Sequence, residues 1–107
     1  MARRRDVVLA RVYFYDAPES KVRPCILLSD EKYAASGFVL AASITTALDE
    51  YCLPMGLKDA DCALAPGSSA RVDGILKISI KNIIRKIGRV TPEFYELLAG
   101  RIVRMLK

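Results

Sequence analysis

The sequence predicts a mainly β fold: a small antiparallel barrel or half-barrel with one α-helix packed on it at the C-terminal end. Three observations carry this. Short apolar runs recur with turn signals about every ten residues, the pattern of a small all-β sheet. Apolar residues repeat at a sustained helical period only near the end, over 91–106. Hydrophobic residues make up 52% of the 107, enough for a core without metal or disulfide staples and a suitable length for one domain over 1–107.

In chain order, Arg3-Arg4-Arg5 reads as a frayed, solvated terminus, so 1–5 is expected to be flexible. Val7 to Tyr15, rich in Val, Leu, Tyr and Phe, reads as the first strand, interrupted by Arg11. Asp16-Ala17-Pro18-Glu19-Ser20 is a polar, turn-prone approach to Lys21-Val22-Arg23-Pro24. Pro24 disfavours the helical basin for Arg23, and Cys25 to Leu28 is an apolar run of strand length. Arg23 is therefore expected where a mobile loop meets a rigid sheet, a common way to position a working side chain.

Asp30 to Gly37 is a connecting turn, and Phe38 to Thr45 a third, buried strand. Its end carries three hydroxyls, Ser43, Thr45 and Thr46, around Ile44. Tyr51 to Leu53 reads as a short edge strand stopped by Pro54, and Met55 to Asp61 as irregular. Ala63 to Ala65 is a candidate short strand before the Pro66-Gly67 breaker. Ser69 to Ser79 reads as a long strand with a bend near Gly74. Ile80 to Ile84 suits one helical turn and Lys86 to Val90 a short returning strand. The final helix has Thr91 as N-cap and Pro92 at its first position. Phe94, Leu97, Leu98, Ile102 and Met105 form its apolar stripe, with Gly100 suggesting close packing on another element or a second subunit.

The composition excludes several chemistries. With no histidine, neither a Ser-His-Asp or Cys-His nucleophile system nor a two-histidine acid–base pair can form. Cys25, Cys52 and Cys62 cannot all pair within one chain and show no Cys-x-x-Cys spacing; they read as small core residues of a reducing compartment. No resident metal or cofactor is expected, because the donors for a zinc site and the Gly-rich phosphate loop are both missing. Met1-Ala-Arg-Arg-Arg-Asp has no small-residue cleavage site behind it, and no apolar run approaches the ~20 residues of a membrane helix. A soluble, cytoplasmic protein without membrane contact is expected.

The net charge of +5 is concentrated at the two ends, with an acidic middle, which suits a phosphate-bearing partner. An arginine and hydroxyls can support a phosphoryl reaction on RNA, which brings its own nucleophile in the 2′-hydroxyl. A guanidinium forks onto two phosphate oxygens and stays charged at any working pH, and a threonine can donate to a third oxygen. Arginine is a poor proton acceptor, so a base is also needed, and Glu19 is the nearest carboxylate to Arg23 in sequence.

Asp6-Val-Val-Leu-Ala, Val22-Arg23-Pro24 opening an apolar run, and Ala42-Ser43-Ile44-Thr45 closing the next resemble the MazF/PemK family of type II toxin–antitoxin toxins. So does Arg71-Val72-Asp73, followed by Arg85 to Val90 and a terminal helix, in order along roughly 5–106. The resemblance implies the SH3-like barrel of the plasmid-maintenance toxins (CcdB/MazF/PemK) in a homodimer. It implies metal-independent cleavage of single-stranded RNA, mRNA in particular, and neutralisation by a cognate antitoxin protein. Arg23 matches the family's catalytic arginine and Thr45 its partner hydroxyl, with Glu19 a possible catalytic or loop residue. Lys21, Ser43, Thr46, Lys77 and Arg11 are expected RNA contacts. The family's longer loop before Arg-Pro is reduced here to Pro18-Glu19-Ser20-Lys21. The same barrel also serves non-enzymatic toxins that bind a protein such as DNA gyrase, and a plain RNA-binding module is a third reading.

Overall fold

The strand-length apolar runs pair in the computed structural model, which describes residues 2–13 and 18–107. Six strands form: β1 (Asp6–Val12), β2 (Lys21–Leu27), β3 (Phe38–Thr45), β4 (Cys52–Pro54), β5 (Ser69–Ser79) and β6 (Ile83–Arg89). A single helical turn, α1 (Glu31–Ala34), joins β2 to β3, and α2 (Pro92–Leu106) closes the chain. The sheet is antiparallel, in the order β4-β5-β3-β2-β1-β6.

Alternation along the strands sorts the apolar side chains into two clusters. Val8, Val12, Cys25, Leu27, Ala41 and Ile78 form one. Val12 of β1 and Ile78 of β5 belong to strands three places apart, so the sheet curls and this is its concave face. Val7, Ile26, Ile44, Ala70 and Val72 face the other way and meet Phe94, Leu98 and Ile102 of α2. The sheet does not close: β4 and β6 are its edges. The connection after β4 reaches across, with Ala60 bridging Val90 and the Asp61 N–H donating to the Arg89 carbonyl at 3.0 Å. Gly88 permits that approach, because a Cβ there would lie 2.6 Å from the Cys62 Cβ.

The termini are anchored by one buried acid. Asp6 is 1% exposed, and its Oδ1 lies 3.1 Å from Arg89 Nε and 3.4 Å from Lys86 Nζ. Its Oδ2 accepts from the Arg3 N–H at 3.0 Å. The Arg5 N–H donates to the Leu27 carbonyl, and its Nε to the Val90 carbonyl, each at 3.0 Å. The basic segment is thus tied to the sheet from Arg3 onward, where fraying was expected.

Other differences follow from pairing that local pattern does not reveal. β2 begins at Lys21, four residues earlier than the apolar run, because β1 pairs with it through Val12↔Lys21 and Ala10↔Arg23. Arg23 therefore sits inside a strand. Pro24 is tolerated there because the β3 ladder starts only at Cys25, so its missing N–H leaves no gap. β1 stops at Val12, and the expected continuation through Phe14 and Tyr15 lies outside the described residues. Ala63 to Ala65 is not a strand. The turn after β5 is a 3-10 turn confined to Ile80–Asn82, and β6 starts directly after it.

α2 is capped as expected, Thr91 Oγ1 accepting from the Phe94 N–H at 3.1 Å. Leu97 and Met105 are exposed and do not join the core. Among the described residues a Cβ on Gly100 would meet nothing within 4 Å, so no close approach among them explains that glycine.

Burial pushes the Cys25 thiol up to about 12 from an ordinary 9.0, with the Arg23 charge pulling the other way. The folded chain keeps this proton where the unfolded chain releases it. Its contribution to stability is complete below about pH 9 and is lost as the pH rises toward 12. Alkaline unfolding followed by circular dichroism should show that decline, and Cys25→Ala should flatten it. An unchanged slope in the variant would assign the decline to other groups.

Candidate functional site

Along β2 the concave-face residues run from buried Leu27 and Cys25 to half-buried Arg23 and exposed Lys21. Along β3 they run from buried Ala41 and Ser43 to half-buried Thr45. The two strands pair as Leu27↔Ala41 and Cys25↔Ser43, where the ladder ends. Two residues further along each strand, past the last pair, stand Arg23 and Thr45 on the same face. Thr45 pairs on its other side with Ser69, a fully buried serine. Thr46, just past the strand, is exposed.

Next to this row β5 bulges. Ala42 pairs with Ile75 and Ile44 with Ala70, so four residues of β5 stand against Ser43 alone. A Cβ on Gly74 would lie 2.7 Å from Ser43 Oγ and 2.8 Å from Arg71 Cβ, so only glycine lets the bulge close on Ser43. Arg71 is clamped there. Its Nε donates to Asp73 Oδ1 at 2.8 Å and its Nη2 to Asp73 Oδ2 at 3.2 Å. The same Nη2 donates to Asp49 Oδ2 at 3.0 Å, and Nη1 to Cys52 Sγ at 3.7 Å. The two carboxylates raise the Arg71 pKa further above its ordinary value. The Tyr51 N–H first, and then Arg71, hold the Asp49 carboxyl below its usual range.

Two guanidiniums thus share the concave face in different states. Arg71 is held by two carboxylates. Arg23 makes no side-chain hydrogen bond or ion pair among the described residues, which leaves its fork open to an anion. Arg71, Asp49, Cys52 and Ser69 were not expected as site residues from the sequence. The only signal was the Arg71-Val72-Asp73 spacing, which puts both side chains on one face of a strand.

The remaining expected residues are placed as follows. Lys21 shares the Arg23 face, one step nearer solvent. Glu19 is exposed, two residues ahead of β2. Arg11 alternates to the opposite face, and its Nη1 donates to Ser20 Oγ at 3.1 Å, pinning the end of β1 to the approach of β2. Lys77 pairs with Leu40 on the convex side, its Nζ 4.4 Å above the Phe38 ring. Arg11 and Lys77 line a common depression of about 70 Å³, apart from the Arg23–Thr45 row.

Residues 3–106 match the family described as PemK-like, MazF-like toxin of type II toxin-antitoxin system. The chain belongs to this family. Solved structures share the fold. The Mycobacterium tuberculosis toxin MazF-mt6 is 23% identical, with a TM-score of 0.74 and 94% of each chain covered. An endoribonuclease in complex with its cognate antitoxin, from a mycobacterial species, is 16% identical with a TM-score of 0.79, covering 99% of this chain and 95% of that one. MazF from Deinococcus radiodurans is 13% identical with a TM-score of 0.76, covering 98% and 96%. No curated protein sequence matches this one. Among the described residues of this PemK/MazF-family chain, no helix is long and apolar enough to cross a membrane.

Proposed function

We propose that this toxin is a metal-independent endoribonuclease acting on single-stranded RNA, mRNA included, at the Arg23–Thr45 row. The observation that carries the reading is the open guanidinium of Arg23 on the face it shares with Thr45, where the other guanidinium, Arg71, is held by two carboxylates. The 2′-hydroxyl of the substrate attacks the adjacent phosphorus and the bond to the 5′-oxygen breaks. The products are a 2′,3′-cyclic phosphate and a 5′-hydroxyl. The proton leaving the 2′-oxygen is balanced by the one gained at the 5′-oxygen. Arg23 forks onto the non-bridging oxygens as charge builds on the phosphorane, and Thr45 donates to a third position. Lys21 extends the positive track along β2, and Ser43 and Thr46 flank Thr45. Glu19, exposed at the entry to β2, is the candidate acceptor for the 2′-proton.

The named mycobacterial endoribonuclease bound to its cognate antitoxin supports a cognate antitoxin partner for this chain in the cytoplasm. Leu97, Gly100 and Val103 form an exposed stripe on the outer side of α2, which supports a homodimer. The test is incubation of the purified protein with long transcripts in EDTA. Discrete products ending in cyclic phosphate are expected, and a 2′-deoxy substitution at the mapped site should block cleavage there. Intact RNA across several transcripts at high protein concentration would overturn the proposal.

A further inference from the structure

A closed ring of contacts ties the Arg71 clamp to Thr45. Thr45 Oγ1 accepts from the Ala47 N–H at 3.1 Å, and the Ala47 carbonyl accepts from Cys52 Sγ at 3.4 Å. Cys52 Sγ also meets Asp49 Oδ1 at 3.6 Å, and Asp49 Oδ1 accepts from the Tyr51 N–H at 2.8 Å. Asp49 Oδ2 holds Arg71, whose Cβ and the Ser43 hydroxyl flank Gly74. Ser43 returns to Thr45 along β3.

Residues 46–50 lie outside the strands and helices, and the segment is held at its far end by the Tyr51 carbonyl, which accepts from the Val72 N–H at 2.8 Å. Between Thr45 and Tyr51 such a segment, with no further anchor, samples many conformations, and the Thr45 hydroxyl that it engages would rotate with it. Arg71 supplies an anchor inside the segment, at Asp49. Four of its five N–H donors are used, counting the one to sulfur, and its side chain is 25% exposed. A bidentate fork to Asp73 sets its plane, so Asp49 is captured in one geometry.

We propose that Arg71 is a positioning residue, clamped by Asp73 and gripping Asp49, which fixes the 46–51 turn and through it the Thr45 hydroxyl at the Arg23 face. The catalytic half of this inference rests on the ribonuclease reading; the conformational half does not. Because its charge is spent on two carboxylates, Arg71 adds little attraction for phosphate. Its loss should therefore act on turnover more than on RNA affinity.

The test uses Asp49→Asn and Arg71→Lys in the full chain, with thermal melts confirming folding. Three-bond couplings to the Thr45 methyl carbon should report one rotamer in the parent protein and an average of rotamers in both variants. On a short RNA substrate kcat should fall about tenfold or more, with KM changing less than about twofold. In a Thr45→Val background, Asp49→Asn should cost little further activity, because the two act as one unit. A single Thr45 rotamer in both variants would overturn the proposal whatever the activity. So would independent, multiplying effects of Asp49→Asn and Thr45→Val. If the parent protein cleaves no RNA, the ribonuclease reading falls, and the rotamer measurement alone decides whether the clamp fixes Thr45.

Discussion

Arg23→Ala should lower RNA cleavage by about 10³-fold, with little change in thermal stability. Arg23 is half-buried at the solvent end of β2, and its guanidinium has no protein partner among the described residues. Its removal therefore strands no buried carboxylate, and truncation leaves the Ala10↔Arg23 backbone pairing intact. The loss should fall on kcat/KM and should not be recovered by Arg23→Lys, which cannot fork onto two oxygens. A single-turnover assay against one mapped site gives the ratio. If the variant retains cleavage within about tenfold, the phosphate is held elsewhere. If it loses cleavage but still arrests cell growth, toxicity has another target, as in a protein-binding toxin on this barrel.

Leu98→Ala should cost roughly 3–4 kcal/mol of stability, the largest effect expected from a single core truncation here. Leu98 is 0% exposed and belongs to the cluster that also holds Val7 of β1, Ile26 of β2, Val90 after β6 and Phe94 of α2. These strands cannot move inward without breaking the β1–β2 and β1–β6 ladders, so the cavity would persist. A fall in melting temperature of roughly 15 °C or more is expected. By contrast, Leu97→Ala, one position away on the exposed side, should change the monomer's stability by less than about 0.5 kcal/mol. Comparable losses at both positions would mean that the outer side of α2 is buried in an assembly.

Much of the fold was legible because its signals are local. The limits of β3 and β5 and the Thr91-Pro92 start of α2 follow from breakers, alternation and capping, each within a few residues. The start of β2 was not legible, because Lys21 and Val22 are strand residues only by virtue of β1 beside them. At the site, Arg23 and Thr45 could be picked out one by one. Their placement at one end of the same face could not, since it depends on the Cys25↔Ser43 register, set across two strands. The Arg71–Asp49 contact spans 22 positions, and no periodicity encodes it.

The place of β1, with β2 on one side and β6 on the other, has a consequence for synthesis. β2 follows β1 within a few residues, but β6 enters the sequence more than seventy positions after its partner. While a chain is being made, β1 keeps a bare edge until residues 83–89 have left the ribosome, and Asp6 waits as long for Arg89. The early strands can pair as a hairpin, but the acid that locks the terminus stays wet and uncompensated. A translation product stalled before residue 83 thus lacks both the strand that covers the free edge of β1 and the arginine that holds Asp6.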